Sequence, residues 1–182
     1  MALMYSKGMP VGTDMPPFEL KGVDGNTWTP ESFADARILV VVFTCNHCPY
    51  AKASEDRLIA LQKDFSDRGV RFVLINSNDA VRYTDDSFEN MVRRAKEKNY
   101  PFPYLFDETQ EVAKAYDAAC TPDIFVFDKE RKLRYNGRID DNWQNPEQVT
   151  REDLRTVLED LLAGRDISID PQPSMGCSIK WK

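Results

Sequence analysis

The 182-residue chain predicts an α/β fold, a central mixed β-sheet flanked by helices on both faces. Three observations predict it. The β-branched run Ile38-Leu-Val-Val-Val-Phe43 reads as a strand buried on both sides. Stretches of helical period follow it and alternate with a second such strand. Two further apolar runs, separated by a short charged turn, read as an antiparallel pair.

In chain order, residues 1–17 are rich in Pro, Gly and Met and read as an irregular lead-in. Residues 18–20 and 23–28 form an N-terminal β-hairpin, with Asp24-Gly25 supplying the turn. Ile38–Thr44 is the central strand. After Cys48 a helix presents Leu58, Leu61 and Phe65 on one face, with Ile59 and Gln62 beside them. Gly69 ends it, and Val70–Asn76 is a second, parallel strand. Phe88, Met91, Val92 and Ala95 give the spacing of another amphipathic helix. Residues 100–106 are a proline-constrained extended piece, and Val112, Ala113 and Tyr116 mark a short third helix. Residues 124–128 and 132–136 pair as a hairpin. Thr150-Arg-Glu-Asp153 has the form of a capping box for a last helix through Leu154, Val157, Leu158, Leu161 and Leu162, stopped at Gly164. Residues 165–182 are a C-terminal tail. Its Ile179 and Trp181 suit docking, so the tail is expected to pack on the domain. No repeat or linker divides residues 1–182, which read as a single domain.

The composition excludes several partners. There are 24 basic and 30 acidic side chains, a net charge of −6, which opposes nucleic acid or an anionic membrane as the main partner. No apolar run approaches the roughly 18–20 residues a membrane span needs. The first fifteen residues show no secretory pattern, so the expected location is cytoplasmic. In a reducing compartment the four cysteines are more suited to catalysis or metal binding than to structural disulfides.

The chemistry concentrates in Phe43-Thr-Cys45-Asn-His-Cys48-Pro-Tyr50. Cys45 leaves the central strand at its carboxyl end, where open α/β sheets place ligand sites. Cys48 falls in the first turn of the next helix, whose unpaired N–H groups and partial positive charge favour a thiolate. A Cys-x-x-Cys beside a βαβ pattern reads as a redox pair, Cys45 and Cys48, able to close a disulfide. His47, the only histidine, can stabilise a Cys45 thiolate or carry its proton. A metal-binding or redox-sensor module built on Cys45, His47, Cys48 and Cys120 stays open as an alternative. Asp140-Asp-Asn-Trp143 reads as a solvated turn with Trp143 packing.

About 75 positions after the pair comes Ala119-Cys-Thr-Pro122-Asp-Ile-Phe-Val-Phe127. Together the two motifs resemble the thioredoxin superfamily. The sequence is most similar to its redoxin branch, the alkyl hydroperoxide reductase/thiol-specific antioxidant and TlpA-like group. Gly12-Thr-Asp-Met-Pro-Pro-Phe-Glu-Leu20 with Asp24-Gly25, the insertion between Asn76 and Pro103, and Gly137-Arg-Ile-Asp140 carry that likeness, from about Pro10 to Ala163.

The resemblance implies a thioredoxin-like fold and a thiol–disulfide oxidoreductase needing no tightly bound cofactor and no metal. Cys45 would attack, Cys48 resolve, and Pro122 be the cis-proline. Thr121, Pro122 and Asn46 would meet the substrate, Thr121 pairing its backbone with an extended peptide. The implied partners are protein disulfides or dithiols and a thiol reductant, with the oligomeric state open between monomer and weak dimer. Cys120 and Cys177 are possible accessory thiols. Thiol peroxidase activity is the alternative within enzymes.

The sequence departs from the pattern at three places. Thr44 stands where thioredoxin has Trp. Leu39 stands where it has a buried acid, so proton handling falls to His47 or another group. Relative to the peroxiredoxin Pro-x-x-x-Thr-x-x-Cys, Val41 replaces Pro and Cys45 replaces Thr.

Overall fold

The computed structural model describes residues 3–182. In chain order the strands and helices are β1 (Leu3–Tyr5), β2 (Leu20–Gly22), β3 (Thr27–Trp28), β4 (Ile38–Thr44), α1 (Pro49–Phe65), β5 (Val70–Asn76) and α2 (Phe88–Lys98). They continue with β6 (Tyr104–Phe106), α3 (Glu111–Ala115), β7 (Cys120–Thr121), β8 (Asp123–Phe127), β9 (Leu133–Asn136), α4 (Asp153–Leu162) and β10 (Met175–Ser178).

Seven strands form one mixed sheet in the order β3-β2-β6-β5-β4-β8-β9. β4, β5 and β6 run parallel, while β8, β9 and the β2–β3 hairpin are antiparallel to their neighbours. β4 lies between β5 and β8 and is buried on both faces, which is why its sequence is continuously apolar. Ile38, Val40 and Val42 pack with Leu58, Phe65, Met91 and Leu158 from α1, α2 and α4. Leu39, Val41 and Phe43 face the other way, against Ala113 and Tyr116 at α3 and Phe18 and Phe33 of the N-terminal segment. Burying each such side chain stabilises the fold by about 1.5–3 kcal/mol. A stiff central strand therefore ends at the Cys-x-x-Cys loop.

A second sheet is small, with the order β1-β10-β7, antiparallel throughout. It holds β1, a regular element in the lead-in that the sequence suggested would be irregular. β1 alone offers no apolar alternation against a core: its three residues are exposed, and its order comes from pairing with β10.

Two local expectations are corrected. Thr150 is not a helix cap: its N–H and hydroxyl both donate to Asp141, and α4 starts at Asp153 with no side-chain cap. The turn at 140–143 is not solvated at Asp140, whose carboxylate is buried and accepts both bonds from Arg57 Nη1, at 2.8 and 2.6 Å. Trp143 does pack, 4.1 Å between ring centroids from Tyr50. Among the described residues, no helix is long and apolar enough to cross a membrane.

Candidate active site

The site forms where β4 ends and α1 begins. Cys45 follows the last residue of β4, and Cys48 is the N-cap of α1, with Pro49 in the first-turn position where its missing N–H costs nothing. Facing them is Thr121-Pro122, whose peptide bond is cis. Cys45 Sγ lies 3.3 Å from Thr121 Oγ1, and Cys48 Sγ lies 3.3 Å from Thr121 O. Cys45 is 2% exposed, Cys48 0% and Cys177 4%, all in one small cluster with Ala51 and Tyr50. Cys48 Sγ is 2.7 Å from Cys177 Sγ.

The groups around Cys48 favour its thiolate form. Its pKa is lowered by the hydrogen bond from Cys45, opposed by burial, and lowered further by Cys177 and by the backbone N–H of Ala51. Cys45 is held well above an ordinary thiol because it is the donor in that bond, because it is buried, and because the Asp86 charge is near. The helix N-terminus acts on the sulfur at the cap itself, three residues beyond Cys45.

A buried acid does stand beside His47, supplied from elsewhere in the chain. Asp86, fully buried before α2, accepts from the Asn46 N–H at 2.7 Å and from Asn78 Nδ2 at 2.8 Å. Its Oδ2 is 2.6 Å from His47 Nδ1. Burial alone would raise Asp86, but the bonds from His47, Asn78 and Asn46 bring it below the usual carboxylate value. In return the Asp86 hydrogen bond raises His47, against the opposing effect of burial. The imidazole stacks on Tyr83, and its Nε2 is buried with no hydrogen-bond partner among the described residues. Sequence reasoning missed Asp86. The available signal was that loops leaving adjacent parallel strands converge, so acids after β5 reach the end of β4.

Asn46, expected to meet the substrate, is buried with its side chain bonded inward. Its Nδ2 donates to Asp85 O at 2.8 Å and its Oδ1 accepts from Tyr104 OH at 3.0 Å, so it braces the loop from within. The Thr121 backbone is not open to a peptide either: it pairs with Cys177 of β10. Cys120 Sγ turns toward Pro122 O at 3.4 Å and Ser174 O at 3.9 Å, and burial raises its pKa strongly. Cys45, His47, Cys48 and Cys120 are therefore not gathered as a metal set. The residues whose donor atoms lie within 4.8 Å of one another are Cys45, His47 and Asp86, and Asp86 is already surrounded by N–H donors. Beside Pro122 a cavity of about 210 Å³ is lined by Tyr50, Arg57, Ile139, Trp143 and Met175.

The profile of the AhpC/TSA family matches residues 11–136. No curated protein matches the chain. An uncharacterized conserved protein from Geobacillus kaustophilus is 49% identical over 100% of this chain and 97% of its own, with a TM-score of 0.95. A hypothetical protein from Sinorhizobium meliloti 1021 is 40% identical over 98% of both chains, with a TM-score of 0.93. A thiol:disulfide interchange protein from a Bacteroides species shares the fold, at 17% identity over 86% of this chain and 92% of its own and a TM-score of 0.66.

Proposed function

The chain belongs to the AhpC/TSA family of thioredoxin-like redoxins, and within it we propose that the protein is a thiol–disulfide oxidoreductase acting on protein disulfides. The observation that carries this reading is geometric: Cys45 at the end of β4 and Cys48 at the cap of α1 each lie 3.3 Å from Thr121, beside the cis Thr121-Pro122 bond. In our mechanism the Cys48 thiolate takes the Cys45 proton as Cys45 attacks a substrate disulfide. One substrate sulfur leaves as a thiolate and is protonated by the His47 imidazolium, a form that the Asp86 hydrogen bond favours. Cys48 then passes to the now neutral His47 the proton it took from Cys45 and attacks Cys45 of the mixed disulfide. The second substrate sulfur leaves as a thiolate and takes that proton from His47, so one substrate disulfide has become two thiols and the pair a Cys45–Cys48 disulfide. A thiol reductant restores the dithiol. Cysteine sulfurs carry the electrons, so no bound cofactor enters, and we set the reaction in the cytoplasm.

A second reading, a thiol peroxidase, draws on the thiolate at Cys48. Against it, Cys45 and Val41 occupy the positions of the peroxiredoxin Thr and Pro, removing the hydroxyl donor that would meet a leaving oxygen. Insulin-type disulfide reduction run beside hydroperoxide consumption, with one dithiol donor, separates the two. We expect disulfide reduction to be faster and both activities to need Cys45. Fast peroxide turnover that survives Cys45→Ser but not Cys48→Ser would make the protein a peroxidase.

A further inference from the structure

β10 lies on the edge where an extended substrate peptide would pair. Its register sets Cys177 opposite Thr121 and Ser178 opposite Cys120. The approach is close enough to require glycine: a Cβ on Gly176 would sit 2.0 Å from Thr121 O and 3.1 Å from Pro122 N. The strand is fastened on both sides of Cys177. Before it, the Ser6 N–H donates to Ser174 O at 3.0 Å, and the Ser174 N–H donates to Ser6 Oγ at 2.8 Å. After it, the Lys180 N–H donates to Asn78 Oδ1 at 2.8 Å, Lys180 O accepts from Asp79 and Gln110, and Ile179 is buried. The result is a cysteine held 2.7 Å, sulfur to sulfur, from Cys48, against about 2.05 Å in a formed disulfide.

We propose that Cys177 is a third redox-active thiol, and that β10 is a tethered exchange partner which carries it into the disulfide of the pair. The proposal rests on the thiol–disulfide reading above. The Cys177 sulfur attacks Cys48 of the Cys45–Cys48 disulfide. That S–S bond breaks, a Cys48–Cys177 bond forms, and Cys45 leaves as a thiolate that takes the proton given up by Cys177. No electrons are gained or lost. The exchange re-arms Cys45 while the oxidising equivalent is stored between α1 and β10. Proximity favours it: the reacting sulfurs are already in contact, as in other intramolecular reactions of high effective molarity.

The full-length reduced protein tests this directly. Wild type and the variants Cys45→Ser, Cys177→Ser and Gly176→Val are oxidised with diamide, quenched in acid, alkylated and mapped by mass spectrometry. Cys45→Ser should close Cys48–Cys177 as its main bond, wild type should show both bonds, and Cys177→Ser only Cys45–Cys48. Gly176→Val should keep Cys45–Cys48 and lose about tenfold or more of the Cys48–Cys177 bond, since proximity drives it. Cys48–Cys177 absent from both wild type and Cys45→Ser, with Cys45–Cys48 present in wild type, overturns the proposal and leaves the oxidoreductase reading standing. A Cys48–Cys177 yield undiminished in folded Gly176→Val overturns the role given to β10. Neither bond in wild type overturns the oxidoreductase reading and the relay together.

Discussion

Asp86 holds the imidazole between the two cysteines, through one 2.6 Å contact with His47 Nδ1. The carboxylate raises the imidazole, so His47 stays charged to a higher pH than in a chain lacking it. The sign for folding follows. Stability from a raised histidine is fully present below the unfolded value of about 6.5 and is lost as pH rises through the folded value. The lowered Asp86 works at the other limit, its contribution present above the unfolded carboxylate pKa and lost on acidification. Asp86→Asn should therefore move the alkaline limb of the disulfide-reduction rate to lower pH. A displacement of one pH unit equals about 1.4 kcal/mol, or about tenfold in rate on that limb. Because His47 is the only histidine, its ring signals titrate by NMR without assignment, and they should move to lower pH in step. An unmoved His47 titration would dismiss Asp86 as its partner. The sequence showed an acid missing at Leu39 but not where its replacement stood, because Asp86 reaches the site through strand order, not local spacing.

At the scale of elements, the junction of β7 and β8 positions Pro122 and is held by Asp123. This carboxyl is fully buried, accepts from the Ala119 N–H at 3.0 Å and from Asn136 Nδ2 at 3.1 Å, and is pushed up to about 6 by burial. A raised carboxyl favours the folded state most when protonated, and that advantage is lost as pH rises from the unfolded value through about 6. The loss is on the order of 3 kcal/mol. Denaturant titrations from pH 4 to 7 should show wild type losing stability relative to Asp123→Asn. Parallel curves for the two proteins would contradict this account of the junction. Legibility divides along the same line between local and long-range causes. β4, α1 and the Cys-x-x-Cys between them were readable because an apolar run, the cysteine pair and a helical period are consecutive in the chain. β10 was not, since Met175-Gly-Cys-Ser178 carries no strand pattern and its place depends on the Cβ that Gly176 lacks.

For the whole molecule, the small sheet joins three distant parts of the chain: β1 near the start, β7 beside Pro122, and β10 near the end. A bond from Cys48 to Cys177 would close a loop spanning 129 positions. A cross-link over so long a loop restricts the unfolded chain by about 4–5 kcal/mol in the chain-entropy account. Oxidised wild type should accordingly resist denaturant more than oxidised Cys177→Ser, by a margin that a reductant abolishes. Equal midpoints for the two oxidised proteins would mean that the long bond is not populated. The same sheet also sets a limit on traffic. With Thr121 already paired to Cys177, an incoming protein meets a competitor that is always present at the site. Its apparent affinity is reduced by the fraction of molecules whose edge is vacant. If β10 must leave before a partner can pair, its departure is, at high partner concentration, the step common to every substrate. Unrelated protein disulfides should then share one maximal rate while differing in the concentration needed to reach it.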